Sequence, residues 1–252
     1  VEVPPEERFR AVADVYAKFR PGYPDDVIDR ILDAAGMRPA PAGTVVVDVG
    51  CGTGISSRAF ASRGLRVIGV DPNAAMLDKA VAAGGGPEYR EGRADATGLP
   101  ALSADLVVAA QCFHWLEPST ALAEFRRILK PGRRVAVFWN LRRVGLPFND
   151  AYEALLKEFC PDYQESLRDD ATLAQLRGRP EPRDAVDLHH ERSEFLDREA
   201  FLGRAHSASY IAHGVKDRAG LEAGLERVFA EHAQNGRVEW ALRVEGICFR
   251  LS

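Results

Sequence analysis

Two carboxylates bracket a glycine-rich stretch in a spacing that suits a nucleoside ligand. In Asp48-Val-Gly50-Cys51-Gly52-Thr53-Gly54, three glycines alternate with small residues, directly after a valine run and before Ile55-Ser-Ser-Arg-Ala-Phe60. Glycines at the carboxyl end of a strand permit a tight turn and let a ligand approach the backbone. Asp71 closes the next apolar run, Leu65-Arg-Val-Ile-Gly-Val70, about 20 residues past the loop, where an acid can take the two hydroxyls of a ribose. A dinucleotide fingerprint wants glycine at the sixth position from Gly50, and that position is Ile55. Asp48 would repel a pyrophosphate and would suit a ligand carrying an ammonium group and a sulfonium. His114 lies just past another predicted strand end and is the titratable candidate suited to general-base work.

The elements that must hold these residues alternate strand and helix. Four of the five residues Val45–Val49 are valine, as in a strand buried on both faces. Helices are expected over 55–63, 72–83 and 118–129, and strands over 65–71, 88–92, 106–111 and 133–139. Residues 6–36 carry two helical stretches separated by Pro21-Gly-Tyr-Pro24. Past Leu141 the alternation stops. A helix over 151–159 and a polar, Arg-rich connection precede a weakly alternating stretch at 186–195, which can add a strand. A helix over 218–232 and the apolar stretch 237–250 finish the chain. This is an α/β, doubly wound pattern in one large domain.

Residues 45–71 resemble motif I and the following acidic strand end of class I S-adenosylmethionine (SAM)-dependent methyltransferases. Tyr16-Ala-Lys-Phe-Arg20-Pro-Gly-Tyr-Pro24, Phe113-His-Trp115, Ile128-Leu-Lys-Pro-Gly132 and Phe138-Trp-Asn140 are similar to the small-molecule enzymes around trans-aconitate methyltransferase. The resemblance implies a Rossmann-like seven-stranded sheet of order 3-2-1-4-5-7-6, with a cap inserted after strand five. It divides a single methyltransferase domain into lid helices (1–36), a SAM-binding core (43–140), the cap (141–205), and a C-terminal helix with strands six and seven paired in the last stretch (206–252). It assigns Asp48, Gly50, Cys51, Gly52, Thr53, Gly54, Asp71, Pro72, Met76 and Gln111 to the cofactor. Asp95 and Ala96 would meet the adenine, and Tyr16 and Arg20 the methionine carboxylate. His114, Trp115, Trp139, Asn140 and Tyr210 would meet the methyl acceptor, with His114 as base or as substrate-orienting group. Relatives usually carry a second glycine where this chain has Arg133, a departure in a turn remote from the cofactor.

The expected activity is methyl transfer from SAM to an oxygen or nitrogen of a small molecule by in-line displacement, leaving S-adenosylhomocysteine. A dinucleotide-dependent oxidoreductase using NAD(P) and a catalytically silent SAM-binding protein are the alternatives. At 252 residues the chain can bury a core without staples. A net charge of −4 and a pI near 5.9 provide no global basic field, so neither nucleic acid nor an anionic membrane is expected as partner. Cys51, Cys112, Cys160 and Cys248 form no C-x-x-C pair, so no metal site is expected. No run has the length of a membrane span, and the first residues lack a secretion signal's basic and apolar regions, so the expected location is cytoplasmic.

Overall fold

The computed structural model describes residues 18–161, 163 and 168–252. It opens with α1 (Asp25–Ala34), then alternates β1 (Val45–Val49), α2 (Ile55–Ala61), β2 (Arg66–Asp71), α3 (Ala74–Ala83), β3 (Glu88–Glu91) and β4 (Ala104–Ala110). A 3₁₀ turn (Phe113–Trp115) leads to α4 (Pro118–Ile128) and β5 (Leu129–Arg142). The chain continues through α5 (Pro147–Phe159), α6 (Arg168–Arg177), β6 (Pro182–Leu196), α7 (Arg198–His206), α8 (Ser209–His213), α9 (Arg218–His232) and β7 (Val238–Leu251). The seven strands form one sheet in the order β3-β2-β1-β4-β5-β7-β6, the order that the resemblance implies.

Valines drive the centre of that sheet. β1 pairs in parallel with β2 and β4, and all seven residues of β4 are buried, which is how a parallel strand covered by helices on both faces reads. Tyr16 and the rest of the first helical stretch up to residue 17 lie outside the described residues. Among the described residues, no helix is long and apolar enough to cross a membrane.

By its internal contacts the chain forms two compact units. A strand–helix unit comprises Gly22–Trp139, Asp169–His189 and Glu245–Ser252. A helical unit comprises Asn140–Arg168, His190–Val244 and the described residues before Gly22. β5, β6 and β7 contribute residues to both. The helical unit is built on a core of its own, with Tyr152, Leu155 and Leu156 of α5, Phe201 of α7, Leu221 and Leu225 of α9 and Trp240 of β7 in one buried cluster.

Two expectations about strands are corrected. Strand five does not begin after the Lys130-Pro-Gly132 turn but at Leu129, which pairs with Ala104; pairing then shifts register and resumes at Leu106–Arg134. The extra residues form a bulge whose cations converge on one buried acid. Lys130 Nζ lies 2.7 Å and Arg133 Nη2 3.2 Å from the Asp105 carboxylate, which also accepts the Val45 N–H at 3.0 Å. Arg133 therefore joins Lys130 in neutralising an acid between two central strands.

The last stretch is likewise not a strand pair but the single strand β7, and strand six is β6, which begins at Pro182. Gly246 lies in the middle of the stretch expected to hold the strand pair. In the structure it sits within β7, where a Cβ would collide with the Val137 carbonyl oxygen and lie 2.6 Å from the Phe138 Cβ. The glycine permits close approach to β5 rather than ending a strand. Gly246→Ala should therefore cost about 1–3 kcal/mol, the usual scale of overpacking. Urea unfolding measures this directly, and an unchanged midpoint would mean that β7 does not press on β5 there.

Candidate functional site

The glycine loop is fastened by backbone bonds to the end of β2. The N–H groups of Gly50 and Cys51 donate to the Val70 carbonyl at 2.7 and 3.2 Å. The N–H of Gly52 donates to Asp71 Oδ2 at 2.8 Å, and that of Asn73 donates to Oδ1 at 2.8 Å. One oxygen of the acid that the sequence marks for a ribose thus holds the loop, and the other holds the start of α3. Each keeps further acceptor capacity, since a carboxylate oxygen has two lone pairs. Burial raises the Asp71 pKa, and the two N–H donors oppose that rise.

The three loop glycines are not equivalent. Gly50, Gly52 and Gly54 all have positive φ, at 70°, 53° and 75°. A Cβ on Gly50 would stand 2.6 Å from Cys112 Sγ, and one on Gly54 would strike the Tyr89 hydroxyl and lie 2.9 Å from Arg58 Nη1. A Cβ on Gly52 would meet nothing within 4 Å. Two glycines make room for the protein itself; only Gly52 leaves room for something else.

Asp48 is fully buried and accepts from Ser56 Oγ at 2.6 Å and Ser57 Oγ at 2.5 Å, both through Oδ2. Its Oδ1 and the Thr53 hydroxyl are buried without a hydrogen-bond partner among the described residues. Burial, with the Asp71 charge adding to it, pushes the Asp48 carboxyl up to about 6 against the two serine donors. Burial also pushes the Cys51 and Cys112 thiols well above their ordinary range, so neither is a thiolate nucleophile. Among the described residues, no cluster of three His, Cys, Asp or Glu is arranged to hold a metal.

Beyond β2, Met76 is buried on α3 while Pro72 is exposed. Arg93 and Ala96 exchange backbone bonds at 3.2 and 3.1 Å, forming a turn with Asp95 at its exposed corner. Arg93 Nε lies 3.0 Å from Asp95 Oδ1, and its donation holds that carboxyl below the ordinary range. Gln111, at the end of β4, adopts φ 64°, a conformation uncommon outside glycine. Its backbone N–H is tied to Phe138 O at 3.0 Å. Just beyond it, His114 Nδ1 accepts from Trp139 Nε1 at 3.1 Å, and the His114 ring lies 4.7 Å from that of Trp115.

This geometry can be set beside known proteins. A methyltransferase-domain family model matches residues 47–137. A methyltransferase of Mycobacterium tuberculosis is 34% identical over 203 residues, which are 80% of this chain and 76% of that protein. The chain belongs to the methyltransferases. A solved methyltransferase structure from Anaeromyxobacter dehalogenans superposes with a TM-score of 0.69 at 26% identity, covering 92% of this chain and 98% of that one. A second, from Anabaena variabilis, gives 0.60 at 21% identity over 90% and 97% of the chains, a likeness of fold alone.

The remaining candidate residues of this methyltransferase belong to the helical unit. Arg20 Nη2 donates to the Ser207 carbonyl at 3.2 Å, and Asn140 Oδ1 accepts from Arg192 Nη2 at 3.4 Å. The Tyr210 hydroxyl is 3.5 Å from Arg142 Nη1. Arg142 itself escaped the sequence reading. Its guanidinium lies 5.2 and 5.5 Å from the rings of Tyr152 and Tyr163 and donates to the Tyr163 hydroxyl, which donates in turn to Glu153 at 2.7 Å. No local motif announces an arginine whose partners come from three later segments. Ser56 and Ser57 were also missed, although paired serines one turn past a glycine loop were a usable signal.

Two outcomes follow from this methyltransferase's loop. Alanine at Gly50 or Gly54 should destabilise the ligand-free protein by more than the roughly 1–2 kcal/mol of a left-handed alanine, whereas Gly52→Ala should cost about that alone and lose cofactor affinity. Thermal melts paired with calorimetry give the ranking, and equal losses at all three would refute the distinction. Asp48 supplies a pH test. Its unfolded carboxyl ionises near 3.8, so the folded state holds the proton more tightly. The stability this gives is complete below that value and is lost as pH rises through about 6. The stability of Asp48→Asn relative to the parent should therefore grow from pH 4 to pH 8, by on the order of 1–3 kcal/mol. A difference that stays flat over that range would show that Asp48 ionises normally.

Proposed function

We propose that this methyltransferase uses S-adenosylmethionine to methylate an oxygen or nitrogen of a small molecule, releasing S-adenosylhomocysteine. The observation that carries the reading is the clasp of Gly52 N–H on Asp71 beside an open Gly52 Cα. That arrangement sets the Asp71 carboxyl oxygens where a ribose diol would sit and leaves the backbone approachable next to it. Pro72, Met76, Asp95 and Ala96 then serve the adenine side. Gly50, Cys51, Thr53, Gly54 and Gln111 shape the loop edge, and Tyr16 and Arg20 serve the amino-acid end. Asp48 acts through the loop, since its carboxylate is enclosed by Ser56 and Ser57. An NAD(P)-dependent oxidoreductase is disfavoured by Ile55 at the sixth loop position and by the family to which the chain belongs. A silent SAM-binding protein would share the loop and fail in turnover.

The bound cofactor supplies a methyl group already activated on a sulfonium. The chain's own residues must hold the acceptor in line, exclude water and manage one proton. His114 is suited to the first task. An indole N–H can only donate, so His114 Nδ1 is the acceptor, and the neutral ring carries its proton on Nε2. The imidazole then presents a donor to the methyl acceptor. Acting as a base at Nε2 would require the other tautomer and the loss of the Trp139 bond. Trp115, Trp139, Asn140 and Tyr210 complete the proposed acceptor wall.

Calorimetry against SAM, NAD and NADP separates the cofactor classes, with SAM alone expected to bind. For turnover, labelled SAM would be screened over carboxylates, phenols and amines. With a responsive acceptor, His114→Gln should raise KM while leaving kcat within a few-fold and the acid limb of the rate profile intact. A loss of 10²–10⁴ in kcat with KM unchanged would instead make His114 the base. Binding of NAD in place of SAM would overturn the reading itself.

A further inference from the structure

The turn assigned to the adenine is clamped from a helix that no cofactor motif includes. Thr97 directly follows Ala96 and is buried. Its backbone N–H donates to Glu124 Oε1 at 2.9 Å, and its hydroxyl donates to the same oxygen at 2.5 Å. Glu124 projects from α4 and is itself buried. Arg127, one turn on, donates to both Glu124 oxygens, from Nε at 2.6 Å and from Nη2 at 2.8 Å. Arg127 Nη2 also donates to the Leu99 carbonyl at 2.7 Å, and Leu99 N–H reaches back to the Thr97 hydroxyl at 3.3 Å. On its other side the segment is tied to β2, since Gly92 N–H donates to the Asp71 carbonyl at 3.2 Å.

We infer that Glu124 is a positioning residue for cofactor selectivity. Through Thr97 it fixes the Arg93–Ala96 turn, so that Asp95 stands where it distinguishes an exocyclic amino group from a carbonyl oxygen. This rests on the assignment of Asp95 to the adenine. The argument is one of constraint. The turn is exposed at Asp95 and Ala96, and two backbone bonds within four residues, with a solvent-exposed Arg93–Asp95 pair at its edge, would not by themselves fix the direction of a corner side chain. Two charge-assisted bonds to one buried carboxylate at the next residue would. Arg127, with the Thr97 donors, holds the Glu124 carboxyl down to about 2.

The test compares two probes, S-adenosylhomocysteine and S-inosylhomocysteine, which differ at the purine 6-position by amino against carbonyl. In the parent, calorimetry should show tighter binding of the adenosyl compound by about 10–100-fold, the scale of one hydrogen bond to a charged group. Asp95→Ala should remove most of that preference, which tests the assignment. Glu124→Gln, with Asp95 intact, should reduce the ratio by about 3–30-fold, as coupled groups in one network do. Thr97→Val keeps the backbone donor and should reduce it less, and it decides the matter if Glu124→Gln fails to fold. A merely structural Glu124 would lower the melting temperature and weaken both probes equally, leaving the ratio at the parent value; that result would overturn the inference. An Asp95→Ala variant with undiminished preference would instead show that the adenine assignment had failed.

Discussion

Asp71 holds together three segments that are separate in the sequence. Its Oδ2 takes the glycine loop at Gly52, its Oδ1 takes the start of α3 at Asn73, and its carbonyl takes the segment after β3 at Gly92. A neutral side chain could not replace it equally, since hydrogen bonds to a charged group contribute roughly 1.5–3 kcal/mol each against about 1 for neutral ones. The parallel register of Val49 with Val70 and of Asp48 with Gly69 places the loop beside this acid. Sheet pairing sets the height of the loop, and the Asp71 carboxylate sets its direction.

Three acids around this core show how surroundings decide protonation. Asp48 has two serine hydroxyls and no cation, so burial wins and the carboxyl rises to about 6. Asp71 is raised by burial too, with two backbone donors opposing the rise. Glu124 has an arginine fork and two donors from Thr97, and falls to about 2. Helix dipole and net charge would not produce that order; the nearest donors do. An acid that must stay charged while buried is paired with a guanidinium, and the acid that titrates near neutrality is the one given only hydroxyls.

The central strands and their glycines were legible because parallel strands and ligand-binding turns constrain residue type position by position. Valine in β1 and glycine at 50, 52 and 54 have few alternatives. The edge was harder. β6 is exposed along most of its length, carrying Arg183, Asp184, Asp187, His189 and His190, so its alternation at 186–195 is weak and its start at Pro182 was not marked. The last stretch was expected to hold two strands and forms one, because Gly246 serves close approach to β5 within a continuous strand. Arg142 and Glu124 were silent for a related reason: each acts through partners distant in sequence, and an isolated charged residue on a strand or helix ordinarily reads as surface.

His114 and Trp139 show what register adds to such a reading. The sequence marks each as a wall residue, 25 positions apart, with nothing to connect them. Parallel pairing of Ala110 with Phe138 brings the two strand ends level, and the indole N–H of a fully buried Trp139 must find an acceptor. His114 Nδ1 is that acceptor. The commitment runs from the core outward: burying the tryptophan fixes the imidazole tautomer, and the tautomer determines that the ring offers its Nε2 proton. The donor side of the imidazole is thus specified by a residue buried in the core. On this view, phenylalanine at position 139 would preserve the packing, yet free the ring to exchange its donor for a base.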